Sequence, residues 1–161
     1  MFRNLSIALL TLLAASSTTR GDEHTLKTFA TGSYQQILSE NIEKPFVLAI
    51  WSIDCPSCLK DMDVLYQLHQ RHPQLTMIML STDEPGASDQ VNTILTQHKL
   101  DNLQNWIFGN DDAQKLRYEI DPGWYGELPR TYFFSSSHQR SGKSGALKLE
   151  ELETRIADII P

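Results

Sequence analysis

Residues 24–159 alternate between β-rich runs and helix-patterned segments, which predicts a three-layer α/β domain: a central mixed β-sheet flanked by helices. Three observations carry that expectation. Residues 46–51 and 75–81 are apolar almost throughout, as strands covered on both faces are. Each is followed by a segment of helical periodicity. A later strand, a polar connection and one terminal helix close the chain.

Taken in order, the chain begins with a secretory leader. Arg3 supplies its positive end, residues 5–15 its apolar core, and Ala14, Ala15, Ser16 and Ser17 a small-residue cleavage region. Cleavage near 16–19 makes residues 1–19 the signal peptide and 20–161 a single domain. The apolar core is shorter than the about 20 residues of a membrane span, though an uncleaved anchor is the alternative. No cysteine lies in the cleavage region to carry a lipid. A polar start, 20–23, precedes a short strand over 24–29 and a helix over 33–41 with Tyr34, Ile37 and Leu38 on its apolar side.

Pro45 marks entry to the strand 46–51, and a helix from Cys55 to Arg71 ends ahead of Pro73. The strand 75–81 runs into a turn, 82–86, rich in Asp, Glu, Pro and Gly. Ser88 or Asp89 then caps a helix in which Val91, Ile94, Leu95 and His98 recur at i, i+3, i+4 and i+7. Residues 106–108 form a short strand closed by Gly109 and Asn110. Asp111 and Asp112 stand where caps belong, ahead of Ala113, Leu116 and Tyr118. A loop, 121–127, leads through Leu128 and Pro129 into the strand 130–135. Residues 136–144 read as a hairpin or a frayed connection. The last helix, 149–159, carries Leu149, Leu152, Ile156 and Ile159 on one face.

The formal charge is −6, and removing the leader takes away Arg3 and moves it to −7. With no basic run, neither nucleic acid nor an anionic membrane surface is an expected partner. The length suffices for a core without cross-links. An exported chain with only two cysteines, Cys55 and Cys58, is not a disulfide scaffold, so the pair reads as working chemistry.

That chemistry follows from position. A helix N-terminus carries roughly half a positive charge and unpaired N–H groups, which stabilise a thiolate at Cys55. Pro56 fits the first turn, where no N–H is needed from it. Ser57 fills the spacer, and Cys58 lies on the same side of the turn, within reach of a disulfide. Cys55 is therefore the expected nucleophile and Cys58 the resolving thiol. A structural disulfide across so short a loop would remove little chain entropy. Zinc held by Cys55, Cys58, His69 and His72 is set aside, since a continuous helix carries the histidines roughly 16 Å from the sulfurs. No metal and no cofactor are expected.

The residues resemble the thioredoxin superfamily and, within it, exported TlpA/ResA-type thiol-disulfide oxidoreductases. The likeness spans nearly all of the chain after the leader. Its anchors are Trp51 through Cys58, with CPSC as the CxxC site; Leu116, Arg117, Tyr118, Glu119 and Ile120; Leu128 and Pro129 with Thr131, Tyr132 and Phe133; and Gly145, Ala146 and Leu147 with Glu150, Glu151 and Leu152. The resemblance implies a thioredoxin-like fold, a cis peptide bond before Pro129 beside the sulfurs, and backbone hydrogen bonds from Leu128 to a bound chain. It also implies a role for Asp61, where the family often carries glutamate: accepting the proton of the resolving thiol one turn along the helix.

The chain departs from that pattern in four places. Asp54 replaces the usual aromatic residue before the first cysteine, and Asp63 a common proline. The stretch between Ile120 and Pro129 is longer and adds Trp124 and Tyr125, and the strand after Phe134 looks weak. Asp54 and Asp61 bring negative charge near the cysteines. This disfavours thiolate and makes the disulfide comparatively stable, so the expected direction is that of a reductant, with Asp54, Pro56 and Ser57 tuning the pair. Trp124 and Tyr125 are expected to flank the sulfurs as an apolar platform for a substrate polypeptide.

The reading is a monomeric periplasmic thiol-disulfide oxidoreductase acting on protein cysteines and recharged by a membrane electron donor. The alternative is a Cu(I) metallochaperone-like module using Cys55 and Cys58 as soft ligands. A peroxidase of the related redoxin group is disfavoured, because the cysteines form a CxxC.

Overall fold

The structure is a computed structural model and describes residues 26–160. The leader, the polar start at 20–23 and the first residues of the expected strand at 24–29 lie outside the described residues. The elements follow in the order β1 (Lys27–Phe29), α1 (Ser33–Glu40), β2 (Phe46–Trp51), α2 (Pro56–Arg71), β3 (Thr76–Ser81), α3 (Ser88–Gln97), β4 (Gln104–Phe108), α4 (Ala113–Ile120), β5 (Arg130–Phe134), β6 (Arg140–Ser144) and α5 (Leu149–Ile159).

The strands form one six-stranded sheet in the order β1-β4-β3-β2-β5-β6. The β1–β4, β4–β3 and β3–β2 pairs are parallel, whereas β5 runs antiparallel to β2 and β6 antiparallel to β5. Strand alternation sorts the core into two layers. Val47, Ala49 and Trp51 of β2 face α2, α3 and α5, packing with Met62, Leu65, Val91, Leu95, Leu152 and Ile156. Phe46, Leu48 and Ile50 face α1 and α4, against Ile37, Leu116 and Ile120. All six residues of β2 are buried, which explains why its sequence shows no polar alternation.

The hydrogen bonds at helix ends distinguish the expected caps. Asp112 caps α4, its Oδ1 accepting from the Lys115 N–H at 2.9 Å. Asp111 reaches elsewhere, accepting from the backbone N–H and hydroxyl of Thr31 at 2.7 and 2.8 Å and so tying the β1–α1 turn to the start of α4. Those two donors hold its carboxyl below the ordinary range. At α3 the expected side-chain cap is absent. A 3₁₀ turn, Pro85–Ala87, begins the winding early, so Ser88 is already helical (φ −51°, ψ −41°) and its hydroxyl donates back to the Pro85 carbonyl at 2.6 Å. His98 caps the other end of α3, its Nδ1 2.9 Å from Asp63 Oδ1.

The polar segment after Phe134 is a true hairpin, with Arg140 to Ser144 paired residue by residue against β5. As an edge strand it exposes polar side chains, which blunt edge-to-edge pairing and remove the usual hydrophobic signature. Gly142 has a specific reason: a Cβ there would lie 2.6 Å from Arg130 Nη2 and 3.0 Å from the Tyr132 ring.

Candidate active site

β2 delivers Trp51 to one end of the sheet, and the chain turns through residues 52–55 into α2. Cys55 is the N-cap of α2 in extended conformation, with Pro56 in the first turn. Its Sγ accepts a hydrogen bond from the Cys58 N–H at 3.1 Å. That donor is one of the amides a helix start leaves unpaired, and the same contact would stabilise a Cys55 thiolate. Cys55 and Cys58 are joined by a disulfide, their Cα atoms 5.2 Å apart. Cys58 is buried at 1 % exposure, while Cys55 is half-buried. An incoming thiolate can therefore reach only the first sulfur.

The loop is anchored from β3. The Asp83 carboxylate accepts from Ser52 Oγ at 2.7 Å, from the Ile53 N–H at 2.9 Å and from Ser81 Oγ at 2.6 Å. The Thr82 N–H adds a bond to the Trp51 carbonyl at 2.9 Å. Asp83 was not among the expected site residues, being counted within the 82–86 turn. Its only sequence signal is an Asp directly after the strand that pairs with the cysteine-bearing one.

Leu128 and Pro129 reach the same end of the sheet from the other side. The Leu128–Pro129 peptide bond is cis. The next residue, Arg130, pairs with Ile50, which sets Pro129 across from Trp51 where the cysteine loop begins. Pro129 is buried, and Leu128 is partly buried against both core layers.

Asp61 lies one helical turn beyond Cys58 and is buried at 4 % exposure. Burial pushes its carboxyl above the ordinary range; the Leu147 N–H, 3.3 and 3.2 Å from the two carboxylate oxygens, only partly offsets this. Asp54, Pro56 and Ser57 are all exposed around the mouth of the helix. His72 caps the distant end of α2, where Nε2 lies 2.7 Å from Glu153 Oε2.

One expectation needs correction. Trp124 is not part of an exposed platform: it is 3 % exposed within the α1/α4 core layer, and its indole N–H donates to the Glu127 carbonyl at 2.9 Å. The apolar ring gains more by filling that layer than by facing water, and the carbonyl satisfies its one donor. Its neighbour Tyr125 is 90 % exposed.

A disulfide at a helix mouth, a cis-proline loop opposite and a mixed sheet with helices on both faces together define the architecture. The fold is thioredoxin-like. A secreted disulfide oxidoreductase of Mycobacterium tuberculosis, homologous to E. coli DsbE, superposes with a TM-score of 0.61 at 21% identity, covering 74% of this chain and 85% of that one. The thioredoxin domain of a thiol-disulfide oxidoreductase from Bacteroides vulgatus gives 0.62 at 14% identity over 77% and 84% of the two chains. A thiol:disulfide interchange protein of the thioredoxin family from Chlorobium tepidum gives 0.62 at 12% over 76% and 83%. No family model and no curated protein matches the sequence. The likeness to these thioredoxin-like structures is therefore one of fold.

Proposed function

We propose that the protein is an exported thiol-disulfide oxidoreductase that reduces disulfides in other polypeptides, with Cys55 as nucleophile and Cys58 as resolving thiol. The observation that carries this reading is the asymmetry of the pair: an accessible sulfur at the α2 N-terminus with a buried one behind it. In the reduced protein the Cys55 thiolate attacks one sulfur of a substrate disulfide, forming a mixed disulfide and releasing the first substrate thiolate, which takes up a proton. Cys58, passing its proton to Asp61, then attacks Cys55. The internal disulfide forms, the second substrate sulfur leaves as a thiolate that takes up a proton, and two electrons have moved to the substrate.

Leu128 and Pro129 supply the facing wall of the site, with Leu128 offering backbone hydrogen bonds to the visiting chain. Asp54 at the rim and buried Asp61 oppose negative charge on the sulfurs, which favours the oxidised form of the pair and hence the reductant direction. The leader-like N-terminus and the secreted mycobacterial protein of like fold both support an exported, periplasmic location. An oxidising compartment offers no soluble pool to restore the dithiol, so a membrane electron donor is the fitting source of electrons. The protein acts as a monomer in this reading.

The test is a trap. In Cys58→Ser protein the mixed disulfide cannot be resolved, so incubation with disulfide-bonded polypeptides should accumulate adducts through Cys55 that a thiol reductant reverses. Equilibration of the wild-type pair with glutathione should give a potential on the order of −250 mV or lower. Absence of adducts and of disulfide reduction, with tight Cu(I) uptake by the dithiol instead, would replace this reading with a metal-carrying one.

A further inference from the structure

Between the cysteine loop and α3 runs an open groove of about 430 Å³, lined by Ile53, Asp54, Asp89, Gln90, Thr93 and Ile94. It begins at the two residues directly before Cys55, which puts its edge within reach of a polypeptide joined to that sulfur. Ile53 and Ile94 also pack on the α2/α3/α5 core layer, which makes the floor of the groove firm and apolar. Asp54 and Asp89 are both exposed. Among the described residues neither carboxylate has an ion-pair partner; the ion pairs are made by Asp63, Asp121, Glu127, Glu151 and Glu153.

This combination fits one kind of side chain. Lysine and arginine lay an aliphatic stem along apolar surface while keeping a cationic head in water. An extended chain advances about 3.3–3.6 Å per residue, so the side chain that can enter belongs to a residue one or two positions from the substrate cysteine. We propose that the groove receives a lysine or arginine flanking the target cysteine, its stem over Ile53 and Ile94 and its head between Asp54 and Asp89, which makes the protein selective for disulfides in basic sequence surroundings. This rests on the exchange reaction proposed above.

The experiment separates the two claims. Reduced protein is mixed with the neutral 2-hydroxyethyl disulfide and with cyclic Cys–Cys peptides that differ only in Lys, Gln or Glu beside the cysteines. The protein dithiol becomes a disulfide and each peptide disulfide becomes a dithiol, with two electrons and two protons transferred. The Lys peptide should react roughly tenfold faster than the Glu peptide at low salt, with Gln between and the spread shrinking as ionic strength rises. Asp89→Asn should cut that ratio to roughly threefold, whereas Asp158→Asn, which removes the same charge from exposed α5, should leave it unchanged. Equal rates for the three peptides, or an equal drop in both variants, would overturn the groove and leave only the net charge. Failure to reduce even 2-hydroxyethyl disulfide would instead overturn the exchange reading beneath it.

Discussion

Two groups of carboxylates on opposite faces of the sheet are handled in opposite ways. On the α2/α3 face, Asp54 and Asp89 line the groove next to the cysteine loop, exposed and, among the described residues, without an ion-pair partner. On the α1/α4 face, Asp121 gathers its neighbours: Oδ2 accepts from Tyr132 Oη at 2.9 Å and Arg130 Nη2 at 3.3 Å, while Oδ1 accepts from the Gly123 N–H at 3.0 Å and pairs with Arg140 at 3.2 Å. Both guanidinium groups stack on the Tyr132 ring, at 4.6 and 4.9 Å from its centroid. Arg140 also donates to the Ile120 carbonyl, and Arg130 to Ser144, which in turn donates to Glu127. Saturated charge marks the frame that carries the proline loop; unsaturated charge marks the groove proposed above to receive a substrate side chain.

The strongest way to break this contrast is Asp121→Ala. It would take the shared anion from two half-buried guanidinium groups and the acceptor from a tyrosine hydroxyl, and should cost about 2–4 kcal/mol in urea unfolding. The pH dependence has a definite sign. Burial alone would raise the Asp121 carboxyl, but the Gly123 N–H, the Tyr132 hydroxyl and the two arginines outweigh it and hold it below the ordinary value. A depressed carboxyl contributes stability that is present above the unfolded value, near 3.9, and is lost as pH falls through the folded one. Wild-type stability should therefore drop more steeply below about pH 4 than that of the variant. Parallel acid profiles would show that Asp121 is not the hub.

Asp61→Asn sharpens the contrast from the sulfur side. Its carboxyl is buried and raised, so the sign reverses: the stability it contributes is full below the unfolded value and is lost as pH rises through the folded one. Wild type should fall progressively behind the variant in denaturant midpoint as pH rises from 4 towards neutrality. In the exchange reaction proposed above, the same substitution would also remove the group that takes the proton of Cys58. Release of a bound partner from its mixed disulfide should slow roughly tenfold. Unchanged release, with the stability shift intact, would leave Asp61 a packing residue.

These residues also show where sequence reading succeeds. β2, the CPSC turn, α2 and α5 were legible because periodicity, Pro56 at a helix start and apolar spacing are local signals that no distant contact overrides. The Asp112 cap was legible for the same reason. Asp83 was not, because its role is a bond to a loop 30 residues earlier. The burial of Asp61 depends on Leu147, 86 residues away, and β6 pairs through its backbone while its polar side chains carry no alternation. Trp124 misled because an aromatic residue in a loop looks the same whether it points inward or outward. Only the space between α1, α4 and the sheet decides.

That inward turn isolates the smallest prediction. With Trp124 locked into the core, Tyr125 is the aromatic side chain of this loop that is free to meet a visiting chain, and the loop beneath it is held by the Asp121 and Glu127 contacts. If Tyr125 meets the substrate chain, one exposed aromatic contributes modestly to binding, so Tyr125→Ala should lower kcat/KM for polypeptide disulfides about two- to threefold, chiefly through KM. Reduction of 2-hydroxyethyl disulfide, which is too small to span from the sulfur to the loop, should be unchanged. Trp124→Ala cannot serve as the comparison, since emptying a buried indole site costs about 3–5 kcal/mol and would disturb the fold. An equal loss for both disulfides would place Tyr125 in the chemistry of the sulfurs, and no loss for either would leave the α2/α3 groove as the surface that selects the partner.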